Sequence, residues 1–401
     1  MTDLFTLDDL SADELSERAV LARVDFNVPL EEGEVADDTR LRETLPTLRD
    51  LSEAGARTVL VAHLGRPGGE RDPEASLRPV ARQLGELLGR EIGFAEDCVG
   101  EPAHKAVSEL EAGEVCLLEN LRFHPGEKSN QEEFARSLAA LAELYVGDAF
   151  GAAHRAHASV VGVPALTRRK AAGRLMVREV EALSRLLGSV DSPFVAVVGG
   201  AKIEGKMDTL DNLLGRIDSL VIGGGMANTF LAARGVEMGD SLLQAERLEM
   251  ALDLLQRAES RGVEVHLPTD LVVAEDLKSA PPILELRPAA GIPGGRKALD
   301  IGSETRARFA EILEEAGTVF WNGPMGVFER PPFDAGTRAV AEAVASCPGY
   351  TVVGGGETTA AVGRVGVRER IDHVSTGGGA ALELLAGREL PGVEALRKGD
   401  S

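Results

Sequence analysis

Aromatic residues are scarce in this chain: twelve Phe, two Tyr and one Trp in 401 residues. With 44% of positions hydrophobic there is ample material for full-sized cores, which must then be built from Val, Leu and Ala. Cysteine is nearly absent. Cys98, Cys116 and Cys347 are scattered, odd in number and form no C-x-x-C pair, which excludes a disulfide scaffold and fits a reducing cytosol. No stretch approaches the ~18 consecutive apolar residues of a membrane span. The first ten residues, M-T-D-L-F-T-L-D-D-L, are acidic and lack the apolar centre of an export signal. A cytoplasmic protein is therefore expected. Positive charge is also short, with 43 basic against 65 acidic residues and a formal charge of −22. Such a surface repels nucleic acid and anionic membranes, so neither is an expected partner. No acidic run is long enough to be a tail, so the excess is spread over folded surface. Lysine is the scarcest charged type, eight against thirty-five arginines. That bias suggests a protein adapted to high salt, where screening reduces self-repulsion.

Against this poverty of lysine, two occur in one turn of the stretch V-A-V-V-G-G-A-K-I-E-G-K-M at 195–207. Val195–Val198 reads as a buried strand. Gly199 and Gly200 free the backbone for a close approach. Lys202 and Lys206, four apart, are expected on one face of a starting helix. A strand, a glycine turn and a helix start carrying ammonium groups can hold phosphate through backbone N–H groups and point charges. Gly200–Lys206 also fits the first seven positions of the P-loop pattern, but Met207 cannot supply its magnesium-binding hydroxyl.

A chain of this length should carry two or three domains. In the first half, strands are expected at 19–24, 58–62, 91–95, 115–118, 144–146 and 159–163, and helices at 42–54, 77–88 and 131–142. Such alternation implies a parallel sheet covered on both faces, with ligands at the carboxyl ends of the strands. The residues after those strands are basic or polar: Arg23–Pro29 and Arg40, His63–Pro67, Glu119–His124, and Asp148–His157. Arg40, Arg66, Arg122 and Arg155, with His63 and His157, are expected to converge on one rim. Guanidinium forks suit carboxylate and phosphate, so the cluster predicts a small, multiply anionic ligand. His154 and His157 stand three apart, but no third ligand is evident for a metal, and they read as anion contacts or loop packing.

Residues 171–187 have helical apolar spacing and are expected to form a helix connecting two domains. The second half repeats the rhythm, with strands expected at 195–198, 220–222, 264–267, 319–321, 351–353 and 373–375. Three of them lead into glycine triplets, Gly223–Gly225, Gly354–Gly356 and Gly377–Gly379. Glycine there lets backbone lie against a flat ring or a phosphate chain, which together with the lysines favours a nucleotide. The loop Trp321–Glu329 adds an amide and a carboxylate for ribose or base edges. A dinucleotide fingerprint is not met, since 223–228 reads G-x-G-x-x-N.

Together, R-V-D-F-N-V-P at 23–29, H-L-G-R-P at 63–67, L-L-E-N-L-R-F-H at 117–124, A-F-G-A-A-H-R-A-H at 149–157, G-G-A-K-I-E-G-K at 199–206, I-G-G-G-M-A at 222–227, W-N-G-P-M-G-V-F-E at 321–329 and S-T-G-G-G-A at 375–380 resemble the phosphoglycerate kinase family almost end to end. The resemblance implies an α/β hinge enzyme of two doubly wound, Rossmann-like parallel-sheet domains. Residues 1–170 would bind 3-phosphoglycerate, 171–187 would connect, 188–388 would bind Mg-ADP or Mg-ATP, and 389–401 would pack back on the first domain. The implied reaction is reversible phosphoryl transfer between 1,3-bisphosphoglycerate and ADP, by a protein that is expected to be monomeric. Asp25, Phe26, Asn27, Arg40, His63, Leu64, Gly65, Arg66, Arg122 and Arg155 would line the triose site. Gly200, Lys206, Gly224, Asn322, Glu329, Gly355, Gly356, Glu357 and Thr358 would surround the nucleotide, and Gly378 and Gly379 would hold the transferring anion. Lys202 and Arg40 would be catalytic. Glu357 would meet Mg2+. The family has aspartate at that position, and the extra methylene moves the oxygens by ~1.5 Å at most, enough to turn direct coordination into a water-mediated one.

Overall fold

The computed structural model describes residues 3–278 and 284–398 and divides into two units, Met1–Glu181 with Glu389–Ser401, and Ala182–Arg388. In the first unit six short apolar runs form β1 Ala19–Val24, β2 Arg57–Val61, β3 Gly93–Ala95, β4 Val115–Leu118, β5 Leu144–Asp148 and β6 Arg169–Ala172. They pair in parallel in the order β3-β4-β2-β1-β5-β6. Every residue of β1, β4 and β5 is buried, as expected of strands with both faces covered by helices. The chain turns outward on opposite sides of β1, so the switch in winding direction lies between β1 and β5, where ligands of such sheets sit. Register brings the strand ends level there: Val24 pairs with Asp148 and Arg23 with Val61.

The sequence reading of 159–163 as a strand is overturned. Ala158–Gly162 is a helical turn that leads into helix Val163–Leu166. The β-branched run is held there because Glu127 accepts from both Ser159 N at 2.9 Å and Ser159 Oγ at 2.6 Å. The last strand of this sheet is β6 instead. It takes Ala171 and Ala172 from the predicted connecting helix, which runs from Arg174 to Leu187. The first turn of that helix is tied down by Thr47 Oγ1, which accepts from Arg174 N at 2.8 Å, and by Asp148, which accepts from Met176 N at 3.1 Å. The final segment lies on the first unit. Phe5 N donates to Leu396 O and Gly392 N to Ala153 O, and Leu390, Val393 and Leu396 are buried.

The second unit repeats the plan with β7 Phe194–Val198, β8 Ser219–Ile222, β9 Glu264–His266, β13 Thr318–Asn322, β14 Tyr350–Gly354 and β15 His373–Val374, ordered β9-β8-β7-β13-β14-β15 and parallel throughout. Between them the chain makes a second sheet that the sequence reading did not foresee. It is antiparallel, with β10 Leu271–Ala274 between β11 Leu284–Leu286 and β12 Lys297–Ile301. Among the described residues no helix is long and apolar enough to cross a membrane.

Candidate active site

At the carboxyl ends of the first sheet, the loop after β1 supplies the frame. Asp25, buried, pairs with Arg40 at 3.0 Å, and Arg40 also donates to the Asn27 carbonyl at 3.2 Å. Asn27 Oδ1 accepts from Gly65 N at 2.9 Å, and Gly65 O accepts from Arg122 at 2.5 Å. Gly65 has φ +61°, a conformation that only glycine adopts at little cost, and it turns the 63–66 loop back over the strand ends. Asn120, buried between the two loops, donates to Leu64 O and Ala75 O and accepts from Leu64 N and Arg122 N, so one amide fixes both backbones.

The basic groups converge. Burial, together with the guanidinium groups of Arg23, Arg122, Arg155 and Arg40, holds His63 well below its ordinary pKa. Burial, with Arg155, Arg23 and Arg66 nearby, lowers Arg122 to about 10. His157 is lowered to about 4, by burial first and then by Arg122, Arg23 and Arg155. Guanidinium groups gathered about buried imidazoles in this way make a locally positive rim able to receive an anion. Phe26 and Leu64, in contrast, turn their side chains into the core, so only their backbone can face a ligand. Arg23 belongs to the same cluster and sequence reasoning left it out of the site. Its place at the end of a buried strand was the available signal.

The rim of the second unit is made of glycine-bearing loops. Gly200, at φ +84°, donates to Pro324 O at 2.7 Å and accepts from Met226 N at 2.8 Å, which knits the loops after β7, β8 and β13. A side chain at Gly200 would meet the Lys206 ammonium at 3.4 Å and the Glu357 carboxylate at 3.7 Å, so its absence keeps a cradle open between the two. The expectation that Lys202 and Lys206 share a helical face is corrected. The helix begins only at Met207, because Gly200 and Gly205 both take positive φ and hold 201–206 in turns. Lys202 is exposed on that turn. Lys206 is folded inward, donating to Gly199 O at 2.6 Å and Asn322 O at 3.3 Å, and burial lowers it to about 8, with Glu357 opposing.

Beside this rim lies a cavity of about 350 Å³ lined by Gly200, Gly224, Glu329 and Glu357 of the predicted residues. Its apolar walls come from Val327, in the expected 321–329 loop, and from residues the sequence reading missed, among them Leu242, Leu277 and Leu299. Leu242 and Leu277, 62% and 42% exposed, give the cavity apolar wall on its open side. Their signal was absent from sequence because they sit in the unforeseen region around β10 and β12. Asn322, Gly355, Gly356 and Thr358 stand behind the cavity rather than on its wall. Asn322 Nδ2 donates to Gly354 O at 3.0 Å, and Thr358 Oγ1 accepts from Gly323 N at 2.7 Å. Gly355 is at φ +92°, and a side chain there would strike Asn322 at 2.8 Å. Gly378, at φ +49°, precedes helix Gly379–Leu385, and a Cβ there would meet nothing within 4 Å.

Nothing in this arrangement supports the P-loop or dinucleotide alternatives. The Lys206 ammonium is turned onto carbonyl oxygens, and Met207 opens the helix where a hydroxyl is needed. Elsewhere, Asp97, Cys98 and His124 bring three possible metal-ligand atoms within 4.8 Å. His124 Nε2 lies 2.7 Å from Asp97 Oδ1, so ring and carboxylate satisfy each other.

A family model described as phosphoglycerate kinase matches residues 7–388. The chain is 53% identical over 391 residues to the phosphoglycerate kinase of Moorella thermoacetica, covering 98% of both chains. It is 52% identical over 398 residues to that of Salinispora tropica, again covering 98% of both. The solved phosphoglycerate kinase from Coxiella burnetii superposes with a TM-score of 0.87 at 40% identity over 98% of each chain, and that from Pyrococcus horikoshii with 0.87 at 35% identity over the same share. A basic rim on one doubly wound sheet, a glycine-lined cavity on another, and this likeness along nearly the whole sequence lead to one assignment: the chain belongs to the phosphoglycerate kinase family.

Proposed function

We propose that this kinase transfers a phosphoryl group reversibly between 1,3-bisphosphoglycerate and ADP, giving 3-phosphoglycerate and ATP, with the triose on the first unit and the nucleotide on the second. The observation that carries this reading is the convergence of Arg23, Arg40, Arg66, Arg122 and Arg155 about the buried His63, where burial first and those guanidinium groups second lower His63, Arg122 and His157, which supports a place for a multiply charged anion. In this reading Arg40, Arg66, Arg122 and Arg155 bind the phosphate and carboxyl groups, while Asp25 orients Arg40 and Asn27 holds Gly65. Phe26, Leu64 and Gly65 contribute backbone. The base of the nucleotide lies in the cavity against Leu242, Leu277 and Leu299, with Glu329 at its edge. The phosphates run toward the loop bearing Gly355, Gly356 and Thr358 and the helix start at Gly378 and Gly379.

The residues around Glu357 fit Mg2+. Its carboxylate is exposed in the first turn of helix Gly356–Val365, facing the space that Gly200 keeps open. Glu357 would hold the ion directly or through water, and the ion would supply positive charge to the phosphate oxygens. Phosphoryl transfer asks the protein mainly for in-line positioning and charge on the equatorial oxygens. Lys202, on a turn next to the cavity, and Arg40, on the triose rim, are the residues we assign to that charge. Both ligands must meet for transfer, so we propose a closing motion about helix Arg174–Leu187. A monomer is the proposed working form. The cytosol is the proposed setting, a reading that the three free thiols and the glycolytic reaction support.

The test is ATP turnover with Mg2+, with and without 3-phosphoglycerate. Turnover should depend strictly on the triose. Lys202→Ala should lower kcat by about 10²–10³, the usual loss for one charge-stabilising donor, with little change in either KM. Turnover without the triose would overturn the reading. A Lys202→Ala enzyme of normal kcat would remove that residue from the transfer step.

A further inference from the structure

Behind the basic rim lies a run of buried polar groups with only one consistent set of protons. Arg23, at 1% exposure, makes three donations: Nε to Ser159 Oγ at 2.8 Å, one terminal nitrogen to the Val24 carbonyl, and the other to His63 Nδ1 at 3.0 Å. A guanidinium has no acceptor, so His63 Nδ1 must present its lone pair, and the single proton of the neutral ring sits on Nε2. Ser159 Oγ, already accepting from Arg23, gives its hydrogen to Glu127 Oε1 at 2.6 Å. The other Glu127 oxygen accepts from Ser159 N at 2.9 Å. Glu127 is completely buried, and it faces a guanidinium that is equally removed from water. Two such charges persist in a core only when each is offset and hydrogen-bonded, which this chain of contacts accomplishes.

We propose that Glu127 is a positioning residue for the transfer reaction: through Ser159 and Arg23 it fixes His63 as a neutral imidazole whose Nε2–H is a ready donor to the anionic triose ligand. The proposal rests on the reading that His63 belongs to the triose site. A neutral donor suits this place, since Arg40, Arg122 and Arg155 already press on the ring and a further cation would repel them. With Arg23 unanchored, the ring could rotate or take the other tautomer, and the donor facing the ligand would become a lone pair. His157, whose Nδ1 lies 3.8 Å from Glu127 Oε1, is a second neighbour of the same carboxylate. Burial first, and then Arg122, Arg23 and Arg155, lower its pKa to about 4.

The experiment combines NMR and kinetics on the full chain. With ¹⁵N-labelled histidine, His63 should appear as the neutral Nε2–H tautomer at pH 7 and remain neutral at about pH 6, below the ordinary histidine midpoint. An Nδ1–H tautomer, or a doubly protonated ring at that pH, would overturn the proposal without reference to any activity. In Glu127→Gln, KM for 3-phosphoglycerate should rise about ten-fold or more, the loss of a charge-assisted contact, while kcat and KM for ATP change less than about three-fold. Ser159→Ala cuts the same relay and keeps both charges, so it decides the matter if Glu127→Gln fails to fold. It should raise the same KM and mix the His63 tautomers. Folded variants of unchanged KM, in an enzyme whose turnover depends on the triose, would refute the positioning role. Wild-type protein without triose-dependent turnover would instead refute the functional reading and leave the tautomer standing.

Discussion

Burial makes Asp148 a carboxyl whose ionisation works against the fold. It closes β5 and accepts from Met176 N in the first turn of helix Arg174–Leu187, with a pKa pushed up to about 7 by loss of water. A folded pKa above the unfolded one means the native state holds the proton more tightly. The resulting stability is full below the unfolded value near 4 and is lost as pH rises toward 7. Asp148→Asn keeps the acceptor oxygen and removes the ionisation. The variant should therefore gain on the wild type by up to about 1.4 kcal/mol per pH unit between about pH 4 and 7 and hold a constant lead above that. Urea unfolding of the two proteins at several pH values would check this, and a pH-independent difference would mean the carboxyl is ionised throughout. Single residues were also where the sequence was most and least informative. Arginines after successive strands could be placed on one rim because a parallel sheet puts its loops there by construction. Lys206 could not be placed, since the same spacing serves a helix face or an inward fold. The choice was made by Gly205, whose positive φ no pattern reveals. Arg23 and Glu127 escaped for a related reason: a buried ion relay spans 136 positions between Arg23 and Ser159 and leaves no local mark.

At the level of elements, strands buried on both faces were legible as short apolar runs, and eleven of the twelve expected strands lie on observed ones. The failure at 159–163 has a physical cause, because Val, Val, Gly and Val fit a strand until Glu127 captures the Ser159 backbone and Pro164 enters the next helix. In the antiparallel sheet, β11 and β12 carry Glu285, Lys297 and Asp300 within their runs and β11 is not buried on either face, which hides them, whereas the buried apolar run of β10 was legible and was overlooked. The final segment reads as a charged tail by composition, yet Leu390, Val393 and Leu396 are buried. Gly147 in β5 is a glycine because a Cβ there would sit 2.7 Å from Leu396 Cδ1, so the sheet leaves room for the leucine. Leu396→Ala should accordingly cost about 2–5 kcal/mol, the range for a large side chain removed from a well-packed site. Urea unfolding followed by circular dichroism measures it, and a loss below about 1 kcal/mol would show that the segment adds little to the fold.

For the whole molecule the deciding quantity is charge. Of 65 carboxylates, only Asp25, Glu119, Glu127, Asp148, Glu179, Asp270 and Asp300 are buried among the described residues, so the excess of 22 negative charges lies where salt can reach it. Two effects then oppose each other. Exposed arginine–carboxylate pairs such as Arg71 and Arg78 with Glu96 weaken as salt rises, but each contributes only about 0–1 kcal/mol. Repulsion among the unpaired carboxylates extends over the Debye length, about 30 Å at 0.01 M salt and about 3 Å at 1 M, so screening removes it over most of the surface. With positive partners exhausted before the negative groups are, the second effect should win. Thermal unfolding in KCl from 0.01 to 2 M should show a midpoint that climbs steeply up to about 0.5 M and then flattens, with NaCl matching it at equal ionic strength. A midpoint indifferent to salt, or one that falls, would mean that the local pairs dominate and that the scarcity of lysine has nothing to do with salt. The same titration bears on catalysis in the opposite sense, because the triose rim is cationic and its ligands are anions. KM for 3-phosphoglycerate should rise with KCl while the fold grows firmer, so activity at low substrate should peak at a lower salt concentration than stability does.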